Sequence, residues 1–303
     1  MIRKVEPATA IFTGAAGNRL VGDVFGEAGP SVLLLHGGGQ TRHSWQGTAQ
    51  RLAAAGLTAY ALDQRGHGDS DWMADGSYAF RDFAADAAAV ADVLAARTGS
   101  RPGVIGASLG GIAALLAEGT AAQAGREPIF AAFVLVDITP RVELSGVAKI
   151  QGFMRAHAAE GFGSIKEAAD AVAAYLPHRK RPRSHEGLKK NLRLDPDGRW
   201  RWHWDPRFLD GPRPVGAATE DTEAALVEAA RRLAVPALLV RGGSSELVKE
   251  NHVRQFLELV PHAEYADVAG ARHMVAGDRN DHFSAAILRF FGKLADRPDL
   301  DRP

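Results

Sequence analysis

Cysteine is missing altogether from this 303-residue chain. Disulfides, thiolate metal ligands and cysteine nucleophiles are thereby excluded, and the absence suits a reducing compartment. Net charge is missing too. The 36 Lys and Arg residues balance 36 Asp and Glu, so no overall field draws the chain to nucleic acid, to an anionic membrane or to a strongly charged substrate. A small, roughly neutral molecule is the expected partner. Met1 to Ala10 carries Arg3, Lys4 and Glu6 without an apolar run of the signal-peptide kind, and no later stretch reaches membrane-spanning length. The expectation is a cytoplasmic protein that engages no membrane and no nucleic acid, with oligomeric state left open.

What is present is ordinary globular material, 46% hydrophobic and 24% charged, enough for a large core. Short apolar runs bounded by turn residues recur at Ser31 to Leu35, Leu57 to Leu62, Gly103 to Ile105, Ala131 to Val136, Val235 to Val240 and Ala263 to Val268, in the manner of buried parallel strands. Between them lie segments with helical spacing: Phe80 to Arg97, Leu109 to Gly119, Lys249 to Val260 and Asp281 to Ala295. This alternation predicts an α/β fold, a mostly parallel sheet with helices on both faces. From Pro140 to about Ala230 the strand-like runs vanish, and Pro177, Pro182, Pro196, Pro206, Pro212 and Pro214 punctuate a polar, helical text. That stretch reads as an insertion packed as a small lid on the sheet domain.

Two glycine-rich motifs carry chemistry. Gly106-Ala107-Ser108-Leu109-Gly110-Gly111 follows a strand and opens a helix. A sharp turn there strains the serine backbone, presents the hydroxyl above the sheet, and aims the Leu109 N–H at a developing oxyanion. Its bland reading is a glycine turn with a helix-capping serine. The second motif, His36-Gly37-Gly38-Gly39-Gln40, follows the strand ending at Leu35. An alkoxide needs two convergent donors, and the Gly38 N–H is the candidate for the second; the bland alternative is a flexible loop, with His36 holding it.

With Asp63-Gln64-Arg65-Gly66-His67-Gly68-Asp69-Ser70 after the next strand, these motifs resemble the α/β-hydrolase superfamily. The resemblance is specific from about Val32 to Val136 and from Val235 to Phe290, and weak in the insertion. It implies an α/β-hydrolase fold with a helical cap inserted after the sixth strand: a core of 1–139 and 231–303 and a cap of 140–230. It also implies the order serine, acid, histidine, with the histidine in the loop after the last strand, and it leaves His67 outside the triad. His273, in Ala269-Gly270-Ala271-Arg272-His273-Met274-Val275, has that position among the 11 histidines. For the acid, the usual register of the later loop falls on Ser245. Asp137, at the end of the strand Phe133 to Val136, is therefore preferred, and Glu246 is the alternative.

Arg199 to Phe208 holds three of the five tryptophans, an aromatic wall for a substrate or a small core for the lid itself. Trp202 and Trp204 are the candidates for substrate contact, with neither singled out. The sequence thus predicts a serine hydrolase acting on a carboxylic ester or a lactone of a small to medium apolar substrate, through an acyl-enzyme with Ser108, His273 and Asp137 and without metal or organic cofactor. Carbon–carbon bond hydrolysis and cofactor-free perhydrolysis use the same serine and remain alternatives. A ligand receptor that keeps the fold without turnover is an alternative of another class.

Overall fold

The computed structural model describes residues 6–179, 184–216, 219–275 and 280–295, so Arg3, Lys4 and Pro182 lie outside the described residues. Ten strands run in chain order: β1 (Ala8–Thr13), β2 (Arg19–Phe25), β3 (Ser31–Leu35), β4 (Thr58–Leu62), β5 (Gly103–Ala107), β6 (Ala132–Val136), β7 (Leu192–Leu194), β8 (Trp200–Trp202), β9 (Ala237–Gly242) and β10 (Glu264–Val268). Eight of them form one sheet in the order β1-β2-β4-β3-β5-β6-β9-β10, and β7 pairs with β8 apart from it. From β4 to β10 all neighbours are parallel, whereas β1 with β2 and β2 with β4 are antiparallel. The six strands expected from apolar runs are present within two residues at each end. The antiparallel pair was not anticipated: β2 is interrupted by Gly22 and Asp23, and β1 is mostly solvent-facing, so neither gives a continuous apolar run.

The period of two in the central strands divides the core. Leu33 and Leu35 face one cluster, which contains Ala87, Val90 and Leu94 of α2 (Phe80–Thr98) and Ala114 and Ala121 of α3 (Leu109–Gln123). Val32 and Leu34 face the other, against Leu52 of α1 (Gln46–Ala54) and against Phe283, Ile287 and Phe290 of the final helix. Alternate burial on both faces is what a sheet covered by two helical layers requires.

Between β6 and β9 the chain forms α4 (Leu144–Ala156), α5 (Ile165–Tyr175), the β7–β8 hairpin, the short α6 (Arg207–Asp210) and α7 (Thr219–Arg231). Two later helices, α8 (Glu250–Leu259) and α9 (Asn280–Ala295), complete the core. The last helix of the stretch 140–230 packs on the sheet domain. Leu226, Ala229 and Ala230 of α7 join the core cluster of α3, and a Cβ on Gly119 of α3 would lie 2.3 Å from Ala229. The two helices touch, so α7 belongs to the layer on the sheet. The residues before it form a separate cluster: Met154, Phe162, Leu192, Trp202, Trp204 and Phe208 pack with Leu109, Tyr78 and Phe83 of the core. Among the described residues no helix is long and apolar enough to cross a membrane.

Candidate active site

β5 ends at Ala107 and α3 begins at Leu109, so Ser108 alone makes the turn, with φ 47° and ψ −113°. A β-carbon in the left-handed half of the map is held there only when the surroundings dictate it. Here they do. A Cβ on Gly106 would come within 2.6 Å of the Gly110 carbonyl, and one on Gly110 within 2.3 Å of the Leu35 oxygen. Only hydrogen atoms at these positions allow strand, turn and helix to pass so closely. Ser108 is half-exposed while its neighbours Gly106 and Leu109 are buried.

The His36–Gln40 loop lies against this turn, for a Cβ on Gly37 would be 3.5 Å from the Ser108 Cβ. Its amides are unequally engaged. The Gly37 N–H donates to Gln40 Oε1 at 3.1 Å and the Gly39 N–H to His67 Nε2 at 3.0 Å. For the Gly38 N–H, as for that of Leu109 at the start of α3, no acceptor is found among the described residues. His67 can accept because its Nδ1 donates to the Arg65 carbonyl at 3.0 Å. Burial, reinforced by His36, lowers its pKa to about 3 and keeps it neutral. His36 is held likewise: Nδ1 donates to the Gly37 carbonyl and Nε2 accepts from Gln64, and burial lowers its pKa to about 4. Both histidines are structural supports of the loop, as expected for them.

Asp137 follows β6 directly, and it is the other non-glycine residue with positive φ among those described, at 50°. Its side chain is fully buried (0%). His273 Nδ1 donates to Oδ2 at 2.8 Å, Ser245 Oγ donates to the same oxygen at 2.6 Å, and the Gly242 N–H donates to Oδ1 at 2.9 Å. This bond engages Nδ1 and leaves Nε2 as the ring nitrogen on the side away from Asp137. Glu246 turns elsewhere: it is 31% exposed and pairs with Arg272 at 2.7 Å. Burial opposes its ionisation, but the Arg272 bond and charge outweigh that and hold the carboxyl below its ordinary value. Of the two candidate acids, only Asp137 is hydrogen-bonded to His273.

The insertion comes down on the donor loop. A Cβ on Gly38 would be 3.2 Å from Phe208 Cζ and 4.0 Å from Leu109 Cδ2; one on Gly39 would be 2.8 Å from Met154 Cε and 3.7 Å from Trp204 Nε1. Phe208 is locked edge-on against His67, Tyr78, Phe83 and Trp204. Of the two tryptophans, Trp204 thus adjoins the donor loop, whereas Trp202 packs within the insertion against Phe162 and Phe153. Phe208, Met154 and Ser245 are the residues that sequence reasoning missed as neighbours of the site. The first two carry no motif. Ser245 did carry a signal, standing where an acid was expected. Among the described residues no group of three or more His, Cys, Asp or Glu side chains could hold a metal ion.

Comparison with known proteins bears on the fold and the family. The family profile described as serine aminopeptidase, S33, matches residues 26–280. The chain is 30% identical over 243 residues to esterase Rv0045c of Mycobacterium tuberculosis, covering 78% of this chain and 74% of that protein. It is also 30% identical over 256 residues to 2-(acetamidomethylene)succinate hydrolase of Mesorhizobium japonicum, covering 82% and 83%. A crystal structure of the M. tuberculosis esterase superposes with a TM-score of 0.71 at 27% identity, over 96% of this chain and 93% of that one. A crystal structure of E-2-(acetamidomethylene)succinate hydrolase superposes with a TM-score of 0.79 at 24% identity, over 94% and 99%, a likeness of fold. A serine on a forced turn between β5 and α3, a sheet that is parallel from β4 to β10, and a profile spanning most of the chain have one common explanation: the chain belongs to the S33 serine aminopeptidase family of α/β-hydrolases.

Proposed function

We propose that the protein is a serine hydrolase that cleaves a carboxylic ester, or a lactone, of a small to medium apolar substrate through an acyl-enzyme. The observation that carries this reading is the bond from His273 Nδ1 to Asp137 on a chain whose elbow holds Ser108 in forced geometry. With Nδ1–H committed, His273 Nε2 takes the Ser108 proton as Oγ attacks the carbonyl, and Asp137 stabilises the imidazolium that forms. The Gly38 and Leu109 amides receive the oxyanion. In support, they lack acceptors among the described residues while the flanking Gly37 and Gly39 amides are engaged, and preorganised donors with no partner to give up stabilise developing charge best. His273 returns the proton to the leaving alcohol, and water repeats the cycle to release the acid.

The cap in this reading is 140–230, its last helix α7 packed against α3 of the core. Phe208 and Met154, with Trp204, form the apolar wall over the donor loop. A wall this close to Gly38 favours a short acyl group. The relative named as an esterase supports ester cleavage; the relative named for 2-(acetamidomethylene)succinate, an acylated nitrogen compound, widens the acyl derivatives worth testing.

The test is hydrolysis of p-nitrophenyl esters of increasing acyl length by wild type and Ser108→Ala. Activity on short esters, lost by a factor of about 10³ or more in the variant, is the expected outcome. Equal activity in both proteins overturns the assignment of the nucleophile. An inactive wild type moves the reading to carbon–carbon hydrolysis, perhydrolysis or ligand sensing.

A further inference from the structure

The Ser245 hydroxyl has one proton and two lone pairs. The N–H groups of Leu247 and Val248 donate to its oxygen at 3.0 and 3.1 Å, so both acceptor directions are taken by backbone. Its proton is therefore committed in one direction, to Asp137 Oδ2 at 2.6 Å. That is the oxygen that also receives His273 Nδ1–H. Ser245 is buried, at 2% exposure, and its backbone is fixed at both ends: its N–H donates to the Gly242 carbonyl, and its own carbonyl accepts from Lys249 Nζ. A hydroxyl so completely engaged cannot rotate to serve any other partner.

We infer that Ser245 is a positioning residue of the catalytic apparatus: it holds the Asp137 carboxylate on His273 by a fixed hydrogen bond to the oxygen they share. The inference rests on the assignment of Ser108, His273 and Asp137 proposed above. Asp137 sits in the left-handed region, where an aspartate backbone has other wells available. Ser245 and the Gly242 amide hold its two oxygens from the β9–α8 side, so the acid on one strand is steered by the loop after the neighbouring strand. Hydrogen bonds to a carboxylate favour its charged form, so each one shared with Ser245 leaves less negative charge for the imidazolium. Removing the hydroxyl leaves the His273 bond on Oδ2 and concentrates the carboxylate's charge there. The other charged groups near this pair are Arg241 of β9, whose field reaches Asp137, Lys249 at the head of α8, and the Arg272–Glu246 pair beside His273. All of them remain in the variants below.

The experiment is the pH profile of kcat/KM on a short p-nitrophenyl ester for wild type, Ser245→Ala, Ser245→Thr and the double variant Asp137→Ala/Ser245→Asp. Ser245→Ala is expected to lose about tenfold in kcat/KM and to move the acid limb upward by about half a pH unit. Ser245→Thr, which keeps the hydroxyl, returns the limb toward its original place. An acid limb that stays put in a folded Ser245→Ala overturns the inference, because a purely structural serine would lower activity without moving it. Should Ser245→Ala not fold, the double variant decides. In the wild type the 245 side chain reaches to within 2.6 Å of the oxygen that His273 uses, so a carboxylate at 245 is expected to recover at least tenfold over Asp137→Ala; no recovery overturns the inference. Activity that survives Ser108→Ala defeats the functional reading itself and is a separate result.

Discussion

The end of the sheet and the insertion above it are built on opposite principles. At the sheet end each group is fixed by directed contacts: Ser108 by the close approach of Gly106 and Gly110, Asp137 by three donors, and the Gly38 loop by two neutral histidines. In the insertion the side chains that reach the site are apolar and held by packing, with Phe208 wedged among four rings and Met154 filling the space beside Gly39. Groups held by hydrogen bonds and close backbone approach tolerate almost no substitution, whereas packed apolar groups can be exchanged for others of like volume. Chemistry is thereby kept constant while the shape of the pocket is free to vary.

The comparison can be broken most sharply at the acid. Asp137→Asn is expected to lower kcat by about 10³ to 10⁴, because an amide holds the wrong histidine tautomer, whereas Glu246→Gln costs less than about tenfold. Steady-state kinetics of the two variants settles the ranking, and the reverse order would transfer the acid role to Glu246. A stability effect comes next. Arg65 holds both oxygens of buried Asp86 at 2.7 Å, so Arg65→Ala should lose about 3–5 kcal/mol in denaturant unfolding, through the uncompensated carboxylate it leaves behind.

Acid sensitivity is the third expectation. His67 and His36 have folded pKa values of about 3 and about 4 against an ordinary 6.5. The unfolded chain binds protons there that the folded chain does not, so stability present above pH 6.5 falls with decreasing pH, by about 1.4 kcal/mol per pH unit for each histidine between 6.5 and its folded value. Unfolding followed from pH 7 to pH 4.5 checks the slope. His67→Gln should reduce it by about half.

The smallest effect belongs to the insertion. Phe208→Ala is expected to shift preference toward longer acyl esters, by about tenfold in relative kcat/KM, with little change on the shortest. An unchanged chain-length profile would remove Phe208 from the pocket wall.

The two regions also differ in how far they could be read from sequence. The parallel strands, the Ser108 elbow, the glycine loop and the His273 loop were legible because close backbone approach demands glycine and buried strands demand unbroken apolar runs, both of which are local in sequence. Asp137 was legible as the preferred of two carboxylates because Ser245 falls at the usual acid position of the later loop; Glu246 stayed as the alternative, since its direction depends on Arg272, 26 residues away. The edge strand β1 was obscured by its mostly exposed residues, and its neighbour β2 by Gly22 and Asp23, whose carboxylate is spent on Arg42. In the insertion, Trp200 to Phe208 announced an aromatic cluster without saying which ring faced where. Phe208 meets Gly38 across a sequence separation of 170 positions, and no periodicity encodes that.

One small feature ties the insertion to the sheet domain. The loop around His67 bonds in two directions: to the Gly39 amide below, and to the insertion above, where Gly68 N–H reaches the His203 carbonyl and Asp205 N–H the Gly66 carbonyl, each at 2.8 Å. Along this edge the insertion is riveted to the loop that carries Gly38, so the two deform together.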